Sequence, residues 1–149
     1  MWNQLEGLTG LLSQKSYLNR TLNLQPEDKM LIVLDLDNFK YINDTYGHQA
    51  GDQCLKVIAE CLKKAYSRYG NCYRIGGDEF CVLFRKPEKE KYCREKFYWI
   101  IEKRKKSLHM LPGASYGSAL IEEQESISDT KARADANMYA NKKARKQAR

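Results

Sequence analysis

The stretch MLIVLDLDNFK, residues 30–40, decides how the chain is read. Its first seven residues form a near-continuous apolar run, short enough and aliphatic enough to predict a buried strand over Met30–Leu36. Side chains alternate along a strand, so Asp35 and Asp37 point to one side and Leu36 to the other. A carboxylate at the end of a buried strand needs a partner, because isolated burial of a charge is costly.

Working outward, Phe39–Tyr46 reads as a short helix or turn. Gln53–Arg68 is the clearest helix, with Leu55, Ile58, Ala59, Leu62 and Tyr66 on one face, and Gly70-Asn71 stops it. Cys72–Ile75 and Glu79–Phe84 predict two short strands joined through Gly76-Gly77-Asp78, a hairpin. On the N-terminal side, residues 5–24 read as helical after the turn-like Thr9-Gly10, and residues 25–28 break that pattern. On the C-terminal side, Glu88–Ser107 predicts a charged helix with Phe97 and Ile100 inside. Ser115–Ile121 predicts a strand, and Ser128 or Asp129 caps a last helix through Met138 and Tyr139. The order predicts an α+β fold, a mixed sheet flanked by helices, in one domain spanning residues 1–149. Asp44 reads as a helix cap.

The second acidic cluster, Asp78-Glu79, sits in the hairpin turn. If the hairpin lies beside the strand, Asp78 reaches the ion that Asp35 would hold. Carboxylate oxygens suit magnesium, which keeps substrate phosphates among its ligands. Two such ions could then lie between protein and triphosphate. Taken alone, Asp35 is as well read as a strand-end cap or salt bridge, and Gly-Gly-Asp-Glu as a plain turn.

The 149 residues include 26 lysines and arginines against 19 acids, a formal charge of +7. The excess gathers at 85–106 and 142–149, as a solvated helix face, a nucleic-acid surface or a lure for polyphosphate. No run approaches the length of a membrane span, and Met1–Gln14 does not read as a signal peptide. The five cysteines, without CxxC spacing or a histidine cluster, are expected to be reduced and mostly buried, in a cytoplasmic setting.

Two long motifs, DLDNFKYINDTYGHQAGD at 35–52 and RIGGDEF at 74–80, resemble the diguanylate cyclase, or GGDEF, family. LTGL at 8–11, SYG at 115–117 and ADANMYANKK at 134–143 follow in the family's order. The resemblance implies a palm-like fold related to adenylate cyclases and polymerases, with a largely antiparallel sheet. It implies condensation of two GTP into cyclic di-GMP across a homodimer, by attack of a 3′-hydroxyl on an α-phosphate with loss of pyrophosphate. It also implies Mg2+, two per site, with Mn2+ as an alternative.

Residue by residue, Asp35, the Leu36 carbonyl and Asp78 match metal ligands. Glu79 matches a metal ligand or the group that helps deprotonate the attacking hydroxyl. Phe39 and Lys40 border the triphosphate. Asn43 and Asp52 match guanine readers: a carboxylate accepts from guanine N1–H and its 2-amino group, and an amide reaches another edge. Relatives making mixed cyclic GMP-AMP carry a small hydroxyl residue in place of Asp52. Gly76 and Gly77 let the backbone approach the nucleotide. Lys142 matches a phosphate lysine, and Lys146 stands where the family carries an arginine. Asp37 braces the loop, and His48 is a structural hydrogen-bonding residue.

Departures are also visible. Glu6 and Ser13-Gln14 replace the family's Asp and Asn-Arg around LTGL, at positions read as structural. Arg145 stands at a family glycine, and Lys146 loses the arginine's bidentate fork, so Arg145 or Arg149 becomes a substitute for phosphate. The segment from Phe80 to Ser115 is short. The inhibitory RxxD is absent, with Ser67-Arg68-Tyr69-Gly70 in its place. The expectation is a cyclase domain cut from a longer protein with an N-terminal sensor, whose parent could be membrane-anchored although this domain makes no membrane contact and binds no nucleic acid. The other reading is a catalytically weak module that binds GTP and regulates a neighbouring domain.

Overall fold

The computed structural model describes residues 4–147, with side chains described through Arg145. Its elements run α1 (Gln14–Thr21), β1 (Met30–Leu36), α2 (Phe39–Tyr46), α3 (His48–Tyr66), β2 (Gly70–Gly76), β3 (Glu79–Phe84), α4 (Glu90–Arg104), β4 (Ala114–Leu120) and α5 (Ile127–Gln147). The four strands form one sheet in the order β2-β3-β1-β4, each neighbouring pair antiparallel. This is the α+β fold with a mostly antiparallel sheet read from the sequence.

The apolar run of β1 is explained by its central place. Leu31, Ile32, Val33 and Leu34 are at most 1% exposed. Ile32, Leu34 and Leu36 join a core with Leu55, Ile58 and Leu62 of α3 and Phe97 of α4. Leu31 and Val33 point the other way, into a second core with Tyr17 of α1, Cys81 of β3 and Ala134 of α5. A strand covered on both faces loses the polar alternation that one wet face would impose. All five cysteines are free and buried within this double core.

Several sequence expectations are corrected. Residues before α1 do not continue a helix. The Glu6 carboxylate accepts from Leu8 N–H, Thr9 N–H and the Thr9 hydroxyl at 2.8–3.0 Å, closing a turn instead. Gly10 takes a left-handed φ of 72° there, and Leu5 bridges Leu12. Helix α3 starts at His48, five residues before Gln53, because Gly47 at φ 92° separates it from α2. Asp44 caps nothing: it lies inside α2, and the junction at Gly47 has no side-chain cap.

Gly70 does not stop a helix but opens β2, where an added Cβ would stand 2.7 Å from the Leu83 carbonyl. The buried face of α4 is Cys93, Phe97 and Ile101, with Ile100 only partly covered. Ser126, rather than Ser128 or Asp129, caps α5: its hydroxyl accepts from Asp129 N–H at 3.1 Å.

Helix α5 lies directly on β4. A Cβ at Gly117 would fall 2.1 Å from the Ala134 carbonyl oxygen and 2.3 Å from Met138 N, so only glycine allows this approach. Along the same interface, Arg133, Asn137 and Asn141 donate to the carbonyls of Leu120, Ser118 and Tyr116 at 2.6, 2.8 and 2.9 Å. Four helical residues rise about 6 Å and two strand residues about 6.6 Å, so the two ladders stay in step. The free carbonyls of the edge strand are thereby satisfied, and α5 is pinned where its last turns meet the end of β1.

Candidate active site

The register builds the acidic centre. Asp35, near the end of β1, is aligned with Glu79 at the start of β3 and with Ser115 of β4. The turn before Glu79 is closed by the pairing of Gly76 with Glu79, with an irregularity between Arg74 and Gly76. Gly77 carries the left-handed φ of 49° that the turn needs. Leu36 N–H donates to the Asp78 carbonyl at 3.3 Å, binding the turn to the strand end. The Asp78 carboxyl lies within hydrogen-bonding reach of Asp35. Burial first, then this neighbour, pushes Asp35 up to about 6, against the opposing pull of Lys142. Two carboxyls facing each other in a half-buried site are what a divalent cation relieves. The donor set of Asp35, Asp78 and main-chain oxygen therefore fits such an ion.

Helix α5 delivers the cations. Lys142 Nζ stands 3.0 Å from Asp35 Oδ2. Arg145 Nη2 stands 3.3 Å from Asp37 Oδ2 and also meets the Ser115 hydroxyl, which itself donates to Asp37 Oδ1 at 2.6 Å. Lys131 Nζ stands 2.7 Å from Glu79 Oε1 and 3.0 Å from Asp135 Oδ2. Among the described residues, no three Asp, Glu, His or Cys side chains converge to hold one ion. Glu79, adjacent in register, does not join Asp35 and Asp78. The Lys146 side chain and Arg149 lie outside the described residues.

The expected base pocket lies between α2 and α3. A Cβ on Gly51 would sit 1.9 Å from Asn43 Oδ1 and 3.4 Å from Phe39 Cε1. Glycine at 51 thus makes room for the Asn43 amide and the Phe39 ring on the first turns of α3, next to Asp52. Asp52 and Lys40 are exposed, while Phe39 and Asn43 are partly covered. Around Gly76 and Gly77 an added Cβ would meet no atom within 4 Å, so the turn is open to solvent. A cleft of about 420 Å3 at the β4 edge, lined by Tyr98, Ser115, Tyr116, Asn141, Ala144 and Arg145, adjoins Asp37.

Sequence reasoning gave no role at the site to four contributors, Glu6, Arg74, Lys131 and Ser115. Glu6 pairs with Arg74 at 3.0 Å, and Arg74 donates to the Gly77 carbonyl from Nε at 3.1 Å and Nη2 at 2.8 Å. Four hydrogen bonds hold the Glu6 carboxyl at about 2, well below the usual range and against the effect of its partial burial. Lys131 carried no motif, and Ser115 was read as part of a strand and of the SYG motif, with no role for its hydroxyl. The contacts that join them span elements distant in sequence, so the motifs holding Arg74 and Ser115 did not reveal their partners.

A strand ending in carboxylates beside an acidic glycine turn, overlaid by a basic helix, defines the class as an α+β domain of palm-like architecture. The family described as "Diguanylate cyclase, GGDEF domain" matches residues 5–148, and the chain belongs to the GGDEF family. It is similar to the diguanylate cyclase DgcZ of Escherichia coli K12, 35% identical over 96 residues, covering 62% of this chain and 32% of that protein. Over 145 residues it is 31% identical to the probable diguanylate cyclase DgcI of the same organism, covering 93% of this chain and 31% of that one.

Among solved structures, the GGDEF domain of DgcB from Caulobacter crescentus in complex with c-di-GMP superposes with a TM-score of 0.75 at 29% identity. That match covers 94% of this chain and 90% of the other. The chain spans 23–32% of the length of the first curated relatives it matches. Among the described residues, no helix is long and apolar enough to cross a membrane.

Proposed function

We propose that this chain is the catalytic domain of a diguanylate cyclase, condensing two GTP into cyclic di-GMP and pyrophosphate across a homodimer. The observation that carries the reading is the meeting of Asp35 and Asp78 at the end of β1, under Lys142 of α5. Asp35, Asp78 and the Leu36 carbonyl would hold magnesium, with manganese as a substitute and two ions per site. Bound there, the metal would supply Lewis-acid stabilisation of phosphate charge and lower the pKa of the attacking hydroxyl.

The protein's own residues do the rest. Lys142 moves from Asp35 to the triphosphate, exchanging one anion for another. Lys40, with the amides at the start of α2, meets phosphate oxygens, and Gly76 and Gly77 leave room for the nucleotide. Asn43, seated on Gly51, and Asp52 read the guanine edge. Arg145, fixed by Asp37 and Ser115, adds positive charge beside the site and takes over from the less suited Lys146. Each domain holds one GTP, so its 3′-hydroxyl reaches the α-phosphate of the other only in a dimer. A sensor segment in the parent protein would set that pairing.

The test is incubation with GTP and magnesium at high protein concentration, with products separated by chromatography and identified by mass. Cyclic di-GMP that vanishes in Asp78→Ala supports the cyclase. Nucleotide binding without product points to the other reading, a GTP-binding module that regulates a neighbour, which the changed tail at Arg145 favours.

A further inference from the structure

Asp35, Asp37 and Glu79 each meet a cation from α5, but the three ion pairs are not alike. Lys142 and Arg145 each meet one carboxylate, and their side chains are 32% and 49% exposed. Lys131 is 25% exposed and is held from two sides, by Glu79 at 2.7 Å and by Asp135 at 3.0 Å. Asp135 lies four residues on along the same helix, so the bracket is internal to α5. That helix cannot drift from the sheet, because its backbone rests on Gly117 and its side chains cap the carbonyls of β4. Lys142 and Arg145 lie near its C-terminal end, whereas Lys131 lies in its second turn.

The backbone gives Glu79 every opportunity to join the acidic centre, since it is aligned with Asp35 and follows Asp78 directly. Its side chain nevertheless leaves Asp35 and Asp78 as a pair, and no three acids share one point among the described residues. The contact that accounts for this is the one to Lys131.

We infer that Lys131 is a positioning residue that holds Glu79 against α5 and withholds it from direct metal coordination. This rests on the divalent-ion site proposed above and explains why Glu79 stays outside its ligand set: Asp35, Asp78 and the Leu36 carbonyl hold the ion, while Lys131 keeps Glu79 aside. The ammonium also cancels one negative charge beside the site, so Lys131 sets how strongly the site attracts cations. Lys142 can trade its carboxylate for phosphate, but Lys131 stays with Glu79 through the reaction.

The experiment is a Mn2+ titration of the full chain without nucleotide, reading free Mn2+ by electron paramagnetic resonance. Lys131→Met frees Glu79 and should bind Mn2+ roughly three- to tenfold more tightly, as expected for removing one adjacent positive charge. Lys131→Arg keeps the charge and the bracket and should bind as the unmodified protein does. A merely structural lysine would weaken metal binding on removal or leave it alone, and either result in Lys131→Met overturns the inference. Should Lys131→Met not fold, Lys131→Ala, which also removes the ammonium and frees Glu79, carries the same expectation. Asp78→Ala separates the two levels. Mn2+ binding lost in Asp78→Ala but unchanged in Lys131→Met sinks the role of Lys131 alone. Binding that survives Asp78→Ala sinks the metal site itself, and this inference with it.

Discussion

Arg74 joins Glu6 at 3.0 Å while two of its nitrogens hold the Gly77 carbonyl, so one guanidinium ties the N-terminal turn to the acidic hairpin. Gly77 is the residue with the left-handed φ, and the next position is Asp78. The conformation that aims Asp78 at Asp35 is therefore braced from outside the hairpin, by a side chain partly shielded from water.

Replacing Arg74 with alanine removes the brace and leaves Glu6 without its cation. The expected cost is about 1–3 kcal/mol of stability, the range for hydrogen bonds involving a charged group. The rate of cyclic di-GMP formation should fall on the order of tenfold or more, because misplacing a catalytic group by about 1 Å is that damaging. Guanine recognition by α2 and α3 should survive. Urea melts, product rates and GTP affinity measured on one preparation check all three, and a variant with normal rates would show that the hairpin holds its own shape.

Gly117→Ala tests the seating of α5. The new methyl group would lie against the Ala134 carbonyl and Met138 N, both main-chain atoms that cannot rotate away. The helix must lift, at an expected cost of about 2–3 kcal/mol for overpacking, read from the urea midpoint. Lys142 and Arg145 rise with it, so product formation should fall more steeply than stability explains. Ser118→Ala, at a partly exposed neighbouring position, is the control and should cost under about 0.5 kcal/mol.

The local patterns that were legible are those set by burial and short-range geometry. Met30–Leu36 announced the central strand because both of its faces are covered, and residues 72–84 announced a hairpin because Gly77 must adopt a conformation other residues avoid. Asp35 and Asp78 were legible as partners once the hairpin was placed beside the strand. The turn at Thr9-Gly10 was legible, but the role of Glu6 in closing it was not, because the carboxylate acts through three local donors. Gly70 was misread because its reason is the Leu83 carbonyl on another strand, not the helix before it. Lys131 is an ordinary helix cation until α5 is laid on the sheet, and only then does Arg145, already a candidate for phosphate, meet Asp37.

Asp35 makes the stability of the metal-free domain depend on pH. Its folded-state value of about 6 lies above the ordinary 3.8, so folding favours the protonated acid. That contribution is fully present below about pH 3.8 and is lost as pH rises through about 6. Thermal melts in chelator should therefore show a component of stability that declines over this window and is absent from Asp35→Asn. With Mn2+ the sign reverses: the ion needs the ionised acid, so its affinity should fall as pH drops below about 6. A flat profile in both experiments would mean that Lys142 keeps Asp35 ionised throughout.

Asp52 offers the sharpest test of which base enters. It lies in the second turn of α3, exposed, beside the Asn43 amide that rests over Gly51. A carboxylate there accepts from the N1–H and 2-amino donors of guanine, whereas adenine presents neither and would leave its N1 lone pair facing the negative charge. Asp52→Ser removes both the acceptor pair and the repulsion. Discrimination of about 1–3 kcal/mol is typical of a paired base contact, so preference for GTP over ATP should shrink roughly 5- to 150-fold. Because Asp52 is solvent-exposed and the substitution is small, the fold should be unaffected. Competition between GTP and ATP in one mixture, read as the ratio of cyclic dinucleotide products, measures the preference directly. An unchanged ratio would move guanine recognition from Asp52 to Asn43, whose amide could still address the base from the floor formed by Gly51.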